Sequence, residues 1–158
     1  MAPDPAPWWR TAAVYQVLPR SFADGDGDGV GDLAGLRARL PSVAGLGVDA
    51  VWVTPWYPSP LVDSGYDVTD YRDVDPALGG LAQAEAFLGD AHALGLKVLL
   101  VIVPHHTSSA HAWFRAALVG DASARARYLL RPGRGQDGAM PPNDWESCFG
   151  GPAWTRCG

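Results

Sequence analysis

The sequence has few cysteines, no basic excess and no long apolar run, and each of these absences narrows the class of protein. Two cysteines, Cys148 and Cys157, in 158 residues imply no disulfide framework and form no metal signature. A formal net charge of −5 provides no basic patch, so we expect no nucleic-acid partner. No apolar run reaches the roughly 18 residues of a membrane span, so we expect no membrane partner. The opening MAPDPAPWW does not join a charged segment to an apolar one as a secretory signal does, so we expect a cytoplasmic protein.

Short apolar segments alternate with helical patterns over the first two thirds of the chain. Apolar runs at 12–18, 48–53 and 96–104 predict strands, and the last is nearly continuous, as expected for a strand covered on both faces. Apolar residues at helical spacing predict helices over 33–46 and 81–94. Pro41 lies inside the first of these helices and predicts a kink or a restart there.

This order of elements predicts a parallel sheet with right-handed crossovers. The loops after the strands are long and the loops after the helices are short, which is typical of a (β/α)8 barrel. A doubly wound fold has a similar order, so order alone leaves both folds open. A barrel needs about 250 residues. Three of its eight strands are recognisable here, so we expect an incomplete barrel over 1–104, followed by an aperiodic excursion over 105–158.

The loop after the first predicted strand, FADGDGDGVGDLAGL at 22–36, concentrates negative charge. It resembles an EF-hand loop through its first nine positions, but the twelfth position is Gly35 rather than Glu, and a strand rather than a helix precedes it. Carboxylates gathered in this way suit a hard cation, whereas a solvated acidic loop that binds nothing is the alternative. The candidate metal ligands are the carboxylates and one backbone carbonyl of Asp24, Asp26, Asp28, Val30 and Asp32.

Six segments together resemble the N-terminal part of alpha-glucosidases of the alpha-amylase superfamily, glycoside hydrolase family 13. The resemblance runs from about Trp8 to Trp154 and is strongest to the oligo-1,6-glucosidase, trehalulose or sucrose-isomerase type of branch. It implies a TIM barrel portion over 1–104 and the start of the inserted domain B over 105–158. The segments are VYQVLPRSF, DGDGDGVGDLAGL, GVDAVWVTPWYPSP, GYDVTDYRDVDPALGG, LKVLLVIVPHHTSSAHAWF and NDWESCFGGPAW.

The resemblance also implies roles for particular residues. The acidic loop matches a site for a structural calcium or magnesium ion. Tyr66 matches a ring that stacks on the terminal glucose, and Asp67 matches a carboxylate that binds its outer hydroxyls, which is reasonable chemistry for an aromatic face and an acceptor pair. His106 matches a residue that hydrogen-bonds the sugar where cleavage occurs. Gln16 and Arg20 match positions that we interpret as supports of the strand end.

Two positions depart from the family pattern at the third strand. Val101 stands where an Asp is expected and has no polar atom, and His105 stands where an Asn is expected. A neutral imidazole does not reproduce both the donor and the acceptor role of an amide at once.

Retaining hydrolysis needs a nucleophile and an acid about 5–5.5 Å apart. The family carries these carboxylates after the fourth and fifth strands, so we expect no catalytic residue in this chain.

Three hypotheses about function follow. The chain is the N-terminal part of a retaining alpha-glucosidase of carbohydrate metabolism that acts on small oligosaccharides, and is inactive by itself. Alternatively, it is a truncated, non-enzymatic remnant with a residual calcium-binding loop. The third hypothesis, a small calcium-binding interaction module, requires a self-contained core, whereas a three-stranded parallel fragment has bare sheet edges.

Overall fold

A computed structural model describes residues 6–157 and divides the chain into two compact units after Ser108. The first unit contains a parallel sheet of three strands in the order β1 (Val14–Val17), β2 (Ala50–Val53) and β3 (Lys97–Leu100). Its helices are α1 (Pro19–Phe22), α2 (Leu33–Ala44) and α3 (Gly80–Ala93), with 3-10 turns at Trp8–Arg10 and Pro76–Leu78. The predicted order of strands and helices, and the parallel pairing, are confirmed.

Helix α2 runs unbroken through Pro41, so the restart is wrong, and the kink that was the other expectation stays a prediction. Leu36 and Leu40 before the proline and Val43 after it are all buried. The proline removes one backbone donor, but the packing of this apolar stripe holds both sides of the helix against the core. The N–H of Gly45 donates to the Pro41 carbonyl (3.0 Å) and closes the last turn.

The core of the first unit lies between one face of the sheet and the helices α2 and α3. Trp56 packs edge-on against Phe87, with ring centroids 6.3 Å apart. Arg37 joins the two helices, since its Nε donates to Asp90 Oδ2 at 2.7 Å. Side chains with essentially no exposure fill the interior between these contacts, and they include Val17, Leu33, Leu36, Leu40, Val51, Val53, Leu78 and Phe87.

The opposite face of the sheet is open and carries large apolar side chains. Gln16, Trp52 and Leu99 lie in register across the three strands, and Trp52 and Leu99 are each 39% exposed. The expectation that the third strand is covered on both faces is therefore wrong for the described residues. Strand β3 ends at Leu100, and Ile102 beyond it is 70% exposed. The helices of this unit pack on one face only, so the apolar run is not enclosed.

The second unit contains two short helices, α4 (Ala112–Leu118) and α5 (Ala122–Arg125), followed by irregular chain. His111 Nδ1 caps α4 by accepting from the N–H of Trp113 (3.0 Å). A 3-10 turn at Gln136–Gly138 and isolated antiparallel bridges are the regular features of the later part. Among the described residues, none of the helices has the length and apolar character that a bilayer crossing requires.

Candidate functional site

The predicted site residues of the first unit lie in the loops that follow its three strands. These loops span 18–32, 54–79 and 101–108, apart from the short helical turns within them. Parallel strands send their carboxyl ends to one edge of the sheet, so the three loops emerge on the same side.

The acidic loop is organised by hydrogen bonds from its own backbone. The Asp24 carboxylate accepts from the N–H groups of Gly27 (2.6 Å) and Gly29 (2.8 Å). Asp28 accepts from the Val30 N–H (2.8 Å) in the same way. The bonds from Gly29 and Gly27 lower the pKa of the Asp24 carboxyl below its usual value. The loop therefore favours the ionised form of Asp24.

Three of the predicted metal ligands converge. Asp24, Asp26 and Asp28 are exposed, and each offers one carboxylate oxygen within 4.8 Å of the others. Two oxygens on opposite sides of a calcium ion, each at about 2.4 Å, would be about 4.8 Å apart. The oxygens therefore fit a single coordination sphere. A donor set of carboxylates alone suits a hard cation and does not suit a soft one.

Asp32 lies outside this group and caps helix α2. Its side chain is buried and accepts from the N–H groups of Gly35 (2.6 Å) and Gly25 (3.1 Å). A Cβ on Gly35 would lie 2.2 Å from the Ala23 carbonyl oxygen, which explains why no glutamate stands at the twelfth position of the EF-like pattern. Metal ligation by Asp32, and by the carbonyl of Val30, stays a prediction.

Asp67 holds the loop after β2 in its conformation. Its Oδ1 accepts from Ser59 Oγ (2.7 Å) and from the Asp63 N–H (3.0 Å), and its Oδ2 accepts from the Val62 N–H (3.1 Å). Burial raises the pKa of the Asp67 carboxyl, but these hydrogen bonds together outweigh burial and leave the pKa below its ordinary value.

The loop that Asp67 supports is strained. Leu61 and Ser64 have φ values of 62° and 53°, which side chains other than glycine adopt rarely. Such a conformation persists where surrounding contacts enforce it, and it clusters at functional sites. A carboxylate oxygen has room for two hydrogen bonds, so Oδ2 retains the capacity to accept one more.

His106 connects the loop after β3 to the loop after β2. Its Nε2 lies 3.0 Å from the Tyr66 carbonyl oxygen, and its Nδ1 lies 3.0 Å from His105 Nε2. Both Tyr66 and His106 are half-buried. The structure thus places the His106 ring against the backbone of Tyr66, the residue that precedes Asp67, and all three are residues that the sequence predicts for sugar binding. Both ring nitrogens of His106 already have partners within the chain.

Three supporting contacts around this site escaped the sequence analysis. The Tyr71 hydroxyl lies 2.7 Å from the carbonyl oxygens of both Val103 and His106 and ties the two loops together. Ser59 donates to Asp67, as described above. Asp75 pairs with Arg20, which agrees with the supporting role inferred for that arginine. Serine, tyrosine and aspartate are common in loops, so nothing in their spacing distinguished these residues.

A parallel sheet that carries polar residues in the loops at the carboxyl ends of its strands is typical of (β/α)8-barrel enzymes and of doubly wound folds, and the comparison with known families decides between the two. A model of the alpha-amylase catalytic domain matches residues 16–156, and the chain belongs to that family.

The most similar relatives include alpha-glucosidases. A probable alpha-glucosidase of Rhizobium meliloti (strain 1021) is 49% identical over 147 residues, which cover 93% of this chain and 26% of the relative. An oligo-1,6-glucosidase of Parageobacillus thermoglucosidasius is 44% identical over 148 residues, again 93% and 26%. The crystal structure of an alpha-glucosyl transfer enzyme superposes with a TM-score of 0.90 at 49% identity, covering 97% of this chain and 28% of that one. The chain thus spans about a quarter of the length of its relatives, and its fold is the N-terminal portion of their barrel.

Proposed function

We propose that this chain is the N-terminal part of a retaining alpha-glucosidase that hydrolyses alpha-glucosidic bonds of small oligosaccharides. The observation that carries the proposal is the contact between His106 and the Tyr66 carbonyl, because it unites the two loops predicted to bind sugar. The curated relatives described as alpha-glucosidase and oligo-1,6-glucosidase support the same substrate class.

In this proposal the chain binds one glucose ring and supplies no catalytic carboxylate. The half-buried Tyr66 ring stacks on the apolar face of the sugar, and Asp67 Oδ2 accepts a hydrogen bond from a sugar hydroxyl in addition to the bond from Val62. His106 hydrogen-bonds the sugar at the bond to be cleaved. A retaining enzyme needs a nucleophile and a general acid about 5–5.5 Å apart. In this proposal both carboxylates belong to segments outside these 158 residues.

The acidic loop is proposed to hold a structural calcium or magnesium ion. The converging oxygens of Asp24, Asp26 and Asp28 support this assignment, and Val30 and Asp32 complete the predicted set. A bound ion would neutralise the carboxylates and cross-link the loop that follows β1.

A cytoplasmic location, expected from the sequence, belongs to the same proposal, and fractionation of producing cells tests it.

The second candidate is a non-enzymatic remnant that retains only the metal-binding loop. The three convergent carboxylates favour it, because they are local in sequence and depend on no other strand. A hydrolysis assay of the chain alone does not distinguish the two candidates. We expect the purified chain to cleave neither p-nitrophenyl alpha-glucoside nor maltose above background in either case. Turnover that survives repurification would contradict both and would reveal a carboxylate pair among these residues.

A chimera separates the candidates. This chain replaces the matching segment of the Rhizobium meliloti alpha-glucosidase, and hydrolysis of p-nitrophenyl alpha-glucoside is measured. An alpha-glucosidase segment yields an active chimera, whereas a chimera that melts cooperatively but remains inactive contradicts the proposal. His106→Ala in the chimera should lower kcat/KM by about tenfold or more, as expected for loss of a sugar contact. His92→Ala is the matched control, since His92 is exposed on helix α3 and should leave kcat/KM unchanged.

A further inference from the structure

His105 and His106 form a hydrogen-bonded pair of imidazoles. The Nε2 of His105 lies 3.0 Å from Nδ1 of His106, and the rings meet nearly edge to face, with centroids 4.4 Å apart and planes at 87°. His105 is exposed and His106 is half-buried. His105 stands where the resemblance implies an asparagine, and this contact gives it a role of its own.

The Tyr66 carbonyl fixes the tautomer of a neutral His106 ring. A carbonyl oxygen only accepts, so His106 must donate to it from Nε2. A neutral imidazole carries one N–H, so Nδ1 of His106 is then an acceptor. Its neighbour at 3.0 Å, Nε2 of His105, must therefore be the donor. The protons run in one direction, from His105 to His106 and from His106 to Tyr66.

We propose that His105 is a positioning residue that holds the His106 ring as a fixed Nε2–H donor toward the Tyr66 loop. The hydrogen bond from His105 occupies Nδ1 of His106, so the ring proton stays on Nε2. Sugar binding by His106 rests on the proposed function, and in that case a hydroxyl that displaces the Tyr66 carbonyl must accept this hydrogen bond.

A transition-metal chelate is the competing explanation of the same distance. Two imidazole nitrogens about 3 Å apart also suit adjacent ligands of a zinc ion, at about 2.0–2.1 Å each. Among residues 6–157, however, the one group of three or more candidate ligands within reach of a common ion is Asp24, Asp26 and Asp28. A stable zinc site needs three or four protein ligands, so the hydrogen bond accounts for the pair better.

Carbethoxylation of the 158-residue chain tests the pair without any sugar. Diethyl pyrocarbonate reacts with unprotonated imidazole nitrogen, and peptide mapping assigns the rate to each histidine. His106 should react more slowly than the exposed His92, because both of its ring nitrogens are occupied. His105→Leu removes the donor at similar size and should accelerate His106 by about two- to twelvefold, the range of one net hydrogen bond. His105→Asn supplies an amide donor and should restore the protection.

Equal His106 rates in the His105→Leu and His105→Asn variants would overturn the proposal. The rate at His92 and the far-ultraviolet circular dichroism spectrum show whether each variant is folded. If the leucine variant unfolds, nitrogen NMR of the unsubstituted chain decides. Scalar coupling between His105 Nε2 and His106 Nδ1 supports the pair, and a His106 ring protonated at Nδ1 instead of Nε2 refutes it. Neither result depends on sugar binding, so failure here is distinguishable from failure of the proposed function.

Discussion

Asp32 and Asp28 lie four positions apart in the acidic loop, and we predict that Asp32 has a role in folding that Asp28 lacks. Asp32→Ala should destabilise the fold whether or not calcium is present, because its carboxylate caps helix α2. Asp28→Ala should leave the calcium-free fold unchanged and weaken calcium binding, because Asp28 is exposed and belongs to the group of converging oxygens.

The size of the Asp32 effect follows from two hydrogen bonds. Alanine leaves the N–H groups of Gly35 and Gly25 without their acceptor. Loss of an N-cap costs about 1 kcal/mol, and the second buried bond adds about 1 kcal/mol. A loss of about 2 kcal/mol lowers the melting temperature by about 4–8 °C in a chain of this size.

Thermal unfolding with and without calcium, together with isothermal titration, measures both effects. Asp32→Asn is the matched control, since asparagine caps a helix nearly as well as aspartate but carries no charge. If Asp32 acts only as a cap, the asparagine variant should keep both the melting temperature and the calcium affinity. A fall in affinity with a normal melting temperature would instead establish Asp32 as a ligand.

Several outcomes would refute this separation of roles. Unchanged stability of Asp32→Ala without calcium would show that the cap contributes nothing. Equal heats of calcium binding for the unsubstituted chain and Asp28→Ala, or no heat for either at millimolar calcium, would leave the loop as an ordinary acidic segment.

Three further predictions concern other parts of the first unit. Leu99→Gln on the open sheet face should reduce self-association in analytical ultracentrifugation, whereas the same substitution at Leu81, which is more exposed on helix α3, should not. Val101→Asp in the active chimera should raise kcat/KM by about tenfold or more, the value of one hydrogen bond to a charged group. An unchanged kcat/KM would contradict the view that Val101 weakens the site by lacking a polar atom. The Asp67 pKa lies below its ordinary 3.8, so its stabilisation is complete at neutral pH and is lost as the pH falls below about 4; acid unfolding should flatten in Asp67→Asn.

The sheet could be predicted because its strands are apolar and its helices are amphipathic. The pattern placed all three strands and both long helices, since burial of Val51, Val53, Leu36 and Phe87 depends on local periodicity. The exposure of β3 could not be predicted in the same way. Whether an apolar residue such as Leu99 is covered depends on what packs against it, and a periodic pattern carries no information about that.

The clustering of carboxylates in the acidic loop was predictable in position but not in detail. Alternating aspartates predict a cation site, because a cation would compensate the repulsion between their carboxylates. Asp32 has the same chemistry as Asp24 in the sequence, yet it lies at the first turn of α2 and accepts from the helix N–H groups. The distinction arises from where the helix begins, and boundaries are the part of a helix that periodicity defines least well.

The two departures at the third strand have unequal consequences. An asparagine in place of His105 would offer an amide donor to its neighbour, and the His105 Nε2–H offers the same donor across 3.0 Å. The exchange therefore retains one of the two functions of the amide. Val101 retains none, because its side chain has no polar atom and only its backbone N–H is engaged, with the Val53 carbonyl at 3.3 Å. A defect in sugar binding should accordingly originate at Val101, at the end of β3, rather than at the histidine pair.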